Sequence, residues 1–390
     1  MRASLYVHAP FCRAKCRYCA FFSAPCGPSG PEAQALSRYC AALEAEIGTQ
    51  AKRFGSVTAP TLFFGGGTPS LLGPDGLARV FAILRAQFQL LPDAEISLEA
   101  NPDSATPEFL AAARALGVTR LSLGVQSLDD AMLAALGRAH DAGQARVAFA
   151  AARDAGFHNI GMDFIFGLPG QGVEHWLDTL RQAVALGPEH LSCYGLTIEP
   201  GTPLAADAAA LAGLPDEDAQ AEMFLRGADL LAAQGYAHYE VSNFARVGGP
   251  DLRCRHNLSC WRGEDALGFG PAAVSTLSGP GAPLRWANPA DVPQWADLAL
   301  SGRAGQANRE VLSPQIRARE ALMLALRTAE GLDLDAYALA HGIDVRRGQA
   351  ELLEQLDRAG LARVSAGRLA LTTAGMLVSN SVIRALGFED

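Results

Sequence analysis

The chain has 390 residues, of which 49% are hydrophobic and 19% charged, so it can bury a large core and should form two domains or one barrel with an appendage. Its formal net charge of −9 argues against general affinity for nucleic acid or anionic membranes, and with Lys15 and Lys52 its only lysines the positive charge is nearly all arginine. The eight cysteines do not form a disulfide pattern, no signal peptide precedes them and no run of eighteen apolar residues suggests a membrane span, so the cytoplasm is the expected compartment.

In chain order, short apolar strands are expected at Leu5–Ala9, Thr61–Phe64, Glu95–Glu99, Arg120–Val125, Asn159–Phe166 and His190–Thr197. Ala- and Leu-rich helical stretches fall between and after them, near 33–53, 75–88, 106–115, 142–155, 173–186 and 216–234. This βα rhythm predicts an α/β fold: a partial (β/α)6 TIM-like barrel over residues 1–235, with functional residues at the C-terminal ends of its strands. Residues 236–304 break the rhythm and are expected to be an irregular segment ending in a Gly279–Pro283 linker. Residues 305–390 should form a small α+β, winged-helix-like domain. Its helices are expected at Ile316–Thr328, Asp335–His341 and Arg346–Ala359, followed by a hairpin over Leu361–Thr372 and a last helix over Thr373–Leu386. Acidic residues interspersed with its arginines disfavour DNA binding.

The chemistry starts just after the first strand. Cys12, Cys16 and Cys19 form a C-x3-C-x2-C loop, with Tyr18 before the last cysteine. Three thiolates can hold three irons of a 4Fe–4S cluster and leave one iron open, whereas electron carriers usually supply four cysteines. Zinc is the alternative, with His8 or Cys26 as a nearby fourth ligand; Cys26 is also a candidate fourth cluster ligand. Gly65-Gly66-Gly67-Thr68 follows the second strand, where glycines permit close backbone approach. Glu99 and Gln126 end later strands and can bind polar ligand groups, Arg138 can form a fork to a carboxylate, and Asp163 lies in an apolar strand where it needs a partner.

These motifs in this order resemble the radical S-adenosylmethionine (SAM) superfamily. Tyr6-x-His8-x-Pro10-Phe11-Cys12, Glu99-Ala100-Asn101-Pro102, Gly124-Val125-Gln126-Ser127 and Asp163-x-Ile165-x-Gly167-Leu168-Pro169 narrow the likeness to its coproporphyrinogen III dehydrogenase-like branch, over nearly the whole chain. The resemblance implies a 4Fe–4S cluster on Cys12, Cys16 and Cys19. It also implies SAM contacts at Tyr6, Gly66, Gly67, Thr68, Glu99, Gln126, Arg138 and Asp163, with Tyr18 as the aromatic of the cluster loop.

That branch holds oxygen-independent dehydrogenases and heme chaperones. Phe21 stands where the dehydrogenases carry a further cysteine, and only eleven residues precede Cys12, where they carry an extension. Tyr239–Phe244 and His256-Asn257-x3-Trp261 look like a chaperone element, with Cys260 in place of its tyrosine. The expectation is therefore a heme-binding protein that passes heme to an acceptor, such as a membrane respiratory enzyme, with no catalytic residue assigned and a homodimer allowed. Porphyrinogen decarboxylation is the alternative. His256 is the candidate heme ligand by chemistry, since imidazole is a common axial ligand. Cys254 and Cys260 beside it leave open thiolate ligation, a thioether link or a small metal knuckle. A loop histidine that caps structure is the plainer reading, as is a solvated surface for Arg253, Arg255 and Arg262, which could otherwise meet heme propionates.

Overall fold

In a computed structural model of the chain, which describes residues 1–278, 283–305 and 307–386, the βα rhythm becomes a curved, mainly parallel sheet. Strands β1 (Ser4–Ala9), β2 (Thr58–Gly66), β3 (Gln89–Ala100), β4 (Arg120–Gln126), β5 (Ile160–Phe166) and β6 (His190–Gly195) lie side by side in that order, all parallel. Helices α1 (Ala33–Phe54), α2 (Gly73–Gln87), α3 (Pro107–Ala115), α4 (Ala142–Asp154), α5 (Val173–Leu186) and α6 (Glu217–Ala233) cover the outside. Local signals set their starts: Thr106, Asp141 and Asp216 each accept a backbone N–H of the first turn, and Asp141 with Gln144 completes a capping box.

Strand alternation divides the residues between two faces. Leu5, Val7, Leu62, Phe64, Leu98, Leu121, Leu123, Met162 and Leu191 are fully buried against the helices. The opposite face closes around a polar interior that holds Thr61, Glu95, Ser97, Arg120, Ser122, His190 and Ser192, all buried.

Residues 236–304 are more regular than expected. They contribute β7 (Tyr236–Glu240), β8 (Asn243–Arg246), helix α7 (Arg255–Trp261), β9 (Ala266–Phe269), β10 (Val274–Leu277), β11 (Leu284–Ala287) and helix α8 (Val292–Leu300). β8 pairs antiparallel with β6, and β9 pairs parallel with the far side of β1, so both edges of the barrel are extended. Strands of four or five residues bounded by glycines give too short a pattern to read as a period. The expected linker falls almost wholly outside the described residues, with Pro283 alone among them.

A second core gathers Leu322, Leu326, Tyr337, Leu353, Leu356 and Leu369 from the C-terminal region. Helices α9 (Pro314–Ala325), α10 (Leu334–His341) and α11 (Val345–Arg358) precede a hairpin, Ala362–Ser365 with Arg368–Leu371. The expected last helix is two, divided at Val378, whose backbone leaves helical geometry (φ −108°, ψ 23°). Arg346, Arg358 and Arg368 are each paired with a carboxylate. This region docks beneath the barrel: Val241 N–H donates to Arg327 O at 2.9 Å, and Ala329 N–H donates to Tyr239 O at 3.0 Å.

One buried carboxylate fastens α1 to the added strands. Glu46 accepts from Gly270 N (2.8 Å), Asn288 Nδ2 (2.6 Å) and Trp295 Nε1 (2.9 Å), and burial pushes its carboxyl up to about 7. Glu46→Ala leaves Gly270 N and Trp295 Nε1 without an acceptor and Asn288 Nδ2 with Gly270 O alone, and should cost roughly 3 kcal/mol or more in chemical denaturation. A cost below about 1 kcal/mol, the worth of one ordinary hydrogen bond, would contradict this staple.

Candidate cofactor site at the strand ends

Parallel strands end on one face, and their loops converge there on a cavity of about 450 Å³. Cys12, Cys16, Tyr18, Cys19, Gly66, Gly67, Thr68, Glu99, Gln126, Arg138 and Asp163 all line it. The structure thus brings together the cysteine loop after β1, the glycine run ending β2 and the polar ends of β3, β4 and β5.

The glycines have a packing reason. Gly66 has φ +108°, and a Cβ there would lie 2.6 Å from the His8 ring. A Cβ at Gly67 would lie 2.7 Å from Phe11 O, while Gly67 N–H donates to Ala9 O at 2.8 Å. The missing side chains let β2 close against the start of the cysteine loop and bring the backbone to the cavity edge. Gln126, the last residue of β4, holds φ +67°, a conformation costly for a non-glycine residue and concentrated at functional sites.

Arg138 lines the cavity and is also engaged by the protein itself. Its Nη2 donates to Asn101 Oδ1 (2.7 Å) and Gly124 O (2.6 Å), and its Nη1 donates to Cys16 Sγ (3.3 Å). The fork that could have gripped a ligand carboxylate instead ties the cysteine loop to the ends of β3 and β4. Its Nε is buried with no hydrogen-bond partner among the described residues. Asn101 also donates to Thr68 Oγ1 at 3.0 Å, and Thr68 Oγ1 lies 3.5 Å from Cys12 Sγ. Asn101 was within the quoted motif without a role; Tyr194 and Leu196, at the end of β6, also line the cavity and carried no spacing signal.

Tyr6 lies outside the lining. It stacks on Phe63 (ring centroids 6.2 Å apart), and its hydroxyl is 3.2 Å from His8 Nδ1. His8 Nε2 meets Phe22 O at 3.0 Å, so both ring nitrogens are engaged. Cys26 Sγ donates to Cys12 O at 3.2 Å and is also outside the lining. Among the described residues, no three His, Cys, Asp or Glu side chains converge closely enough to hold a single metal ion. The donor set at the cavity is three cysteines, each with a hydrogen-bonding group at its sulfur: Thr68 at Cys12, Arg138 at Cys16 and the Phe21 backbone at Cys19. That set fits a 4Fe–4S cluster bound at three irons, where hydrogen bonds to sulfur tune the redox potential.

His256 sits elsewhere. It is 6% exposed, in the first turn of α7, which plugs the opposite, N-terminal end of the barrel. Its Nδ1 shares a 2.9 Å hydrogen bond with Thr61 Oγ1, and its ring stacks on Phe63 at 4.9 Å. Burial lowers its pKa to about 4, so the imidazole is neutral but enclosed. Glu95 receives the start of α7, accepting from Arg255 N (3.1 Å) and His256 N (3.0 Å). Cys254 is buried with Sγ 3.6 Å from Glu95 Oε1, whereas Cys260 is exposed. Arg253 and Arg262 pair with Glu330, and Arg255 with Asp93. In this arrangement the element joins the barrel floor to the C-terminal region and presents neither an open imidazole nor free arginines.

The cavity floor is acidic. Burial, reinforced by Asp163, pushes Glu99 up to about 8, opposed by a hydrogen bond from Gly66 N. Folded Glu99 therefore keeps its proton through a range where the unfolded carboxyl has lost it, and this group's contribution to stability falls as pH rises from about 4.5 toward 8. Glu99→Gln removes that loss. Its melting temperature relative to the parent should climb steadily between pH 5 and pH 8 in cluster-free protein; a difference independent of pH would contradict the assignment.

A model of the radical SAM superfamily matches residues 6–183, and one of the HemN C-terminal domain matches residues 312–378. The heme chaperone HemW of Mycobacterium tuberculosis is 37% identical over 98% of this chain and 94% of its own length. The heme chaperone HemW of Bacillus subtilis is 32% identical over 98% of each chain. The solved structure of Escherichia coli coproporphyrinogen III oxidase (HemN), a radical SAM enzyme, superposes with a TM-score of 0.83 at 26% identity, covering 98% of this chain and 89% of that one. The chain belongs to the HemW family, within the radical SAM superfamily.

Proposed function

We propose that this protein binds heme and passes it to an acceptor protein, and that it keeps a 4Fe–4S cluster on Cys12, Cys16 and Cys19 with SAM at the open iron. The observation that carries the reading is the cavity itself. One wall offers three cysteines and no fourth, and the floor offers two half-buried acidic groups, the Asp163 carboxyl and the protonated Glu99, suited to the sulfonium and amino groups of SAM. When bound, the cluster supplies an electron and a chelating iron. The protein's own residues do the positioning: Arg138 and Thr68 hold the sulfur side, Gly66 and Gly67 open the edge, and Gln126 offers an amide from a strained turn.

Heme transfer is favoured over porphyrinogen decarboxylation by two features. Relatives named heme chaperones are more similar to this chain than the HemN structure is. Phe21, at 73% exposure, stands on the cavity rim where the dehydrogenase branch carries a further cysteine. An exposed aromatic there suits contact with a flat apolar ligand better than ligation of a metal. The acceptor is proposed to be a membrane-bound respiratory enzyme reached by transient association from the cytoplasm, and the proposal allows a homodimer. Among the described residues, no helix is long and apolar enough to cross a membrane.

The test is anaerobic reconstitution followed by two assays on one preparation. The parent should take up iron and sulfide and bind heme stoichiometrically, and it should form no product from coproporphyrinogen III and SAM. Replacing Cys12, Cys16 and Cys19 together with alanine should abolish iron and sulfide content. Decarboxylated product from the parent would move the assignment to the dehydrogenase, and full iron retention in the triple variant would place the cluster elsewhere.

A further inference from the structure

Beneath the cavity floor lies a cation that binds no ligand itself. Arg120 opens β4 and is 2% exposed. Space for it comes from Gly161 on β5, where a Cβ would lie 3.3 Å from Arg120 Nη2, 3.3 Å from Ser122 Oγ and 3.4 Å from His190 Nδ1. Arg120 Nε and His190 Nδ1 are buried with no hydrogen-bond partner among the described residues. A guanidinium enclosed in this way is costly unless anions face it.

The groups that face it are Cys254 before α7, Glu95 from β3, Tyr239 from β7 and Asp163 from β5. His190 and His256 are kept neutral by burial, and burial pushes the Cys254 thiol up to about 12. Glu95 is already engaged by the backbone of α7. Asp163 lines the cavity and is held by the Ser192 hydroxyl and by Ser122 Oγ, which lies 3.1 and 3.2 Å from its two oxygens; Arg138, Cys193 and Tyr194 are the other titratable groups acting on or beside it. Glu99 is the register partner of Ser122 and lines the cavity beside it. Two half-buried carboxyl groups lining one cavity repel each other when both are ionised, unless a fixed positive charge offsets them.

We propose that Arg120 is a positioning residue for ligand recognition: from below the floor it keeps the Asp163 carboxylate charged and held by Ser122, so that the cavity presents a negative charge to the amino and sulfonium groups of SAM. The inference rests on the reading that SAM occupies this cavity. Arg120 opposes the burial that raises both Asp163 and Glu99, which agrees with the geometry.

The experiment compares the parent with Arg120→Gln, Arg120→Lys, Asp163→Asn and the double variant Arg120→Gln/Asp163→Asn. SAM affinity of the reconstituted proteins is measured from pH 6 to pH 9, and melting temperature of the cluster-free proteins from pH 5 to pH 8. Arg120→Gln should bind SAM about tenfold more weakly at pH 7, with the deficit narrowing as pH rises. Arg120→Lys should keep most of the parent's affinity. In the cluster-free series, the Arg120→Gln deficit should grow with pH, and its growth should be smaller when the double variant is compared with Asp163→Asn, where Glu95 and Glu99 are the acidic groups left facing Arg120. If Arg120→Gln does not fold, Arg120→Lys carries the comparison, because it keeps a positive charge facing Glu95 and Asp163. A folded Arg120→Gln whose SAM profile superimposes on the parent's would overturn the proposal, as would an Arg120→Lys that folds but binds SAM as weakly as the neutral variant is expected to. Absence of SAM binding in the parent would end the reading of the cavity, while the cluster-free series would still decide the role of Arg120.

Discussion

Arg138 is the interaction on which the site depends. One guanidinium joins the cysteine loop through Cys16 Sγ, the end of β3 through Asn101 and the end of β4 through the Gly124 carbonyl. Charge-assisted bonds of this kind are shorter and stronger than neutral ones, and here they act in a partly enclosed pocket. The rest of the loop's anchoring is the two-residue pairing of Phe11–Cys12 with Ala24–Pro25, backbone bonds of Arg17 with Leu136 and Leu204, and the outer contacts of Arg13 with Asp103 and Arg17 with Asp207. Close approach of the loop to β2 in turn requires the bare backbone at Gly66 and Gly67. The cavity follows from these two conditions together.

The barrel beneath is unusual in holding charge along its axis. Glu95, Arg120, Asp163 and Glu99 follow one another from the plug helix to the cavity floor, with serines between them. Each end is tied to something functional or structural. Glu95 receives the backbone of α7, and α7 with its flanking arginines holds the C-terminal region through Glu330. His256 also stacks on Phe63, two residues before the glycine run, so the floor and the cavity share a strand. This gives the His256-Asn257-x3-Trp261 element a physical place in the HemW fold.

The parts legible in the sequence were those whose meaning is local. Three cysteines within eight residues, a glycine run after an apolar strand and carboxylates at strand ends carry their chemistry in their spacing, and the structure gathers them in one cavity. Strand and helix positions of the βα units were readable because each is long enough to show its period. Three features were not. Tyr6 and Phe63 alternate with core residues, and nothing local says that their rings lie under the floor. The left-handed backbone of Gln126 depends on a shift in register between β4 and β5. His256 has a ligand's chemistry in its side chain, but its enclosure by Thr61, Phe63 and the start of α7 comes from strands nearly 200 residues earlier. Local sequence cannot report burial imposed by distant segments.

What the whole account asserts is an iron left open by three cysteines and reached by a ligand over an acidic floor. EPR of the reduced, reconstituted protein with and without SAM measures this most directly. The account predicts a 4Fe–4S signal whose g-values shift when SAM is added. A cluster signal identical in both samples would contradict it.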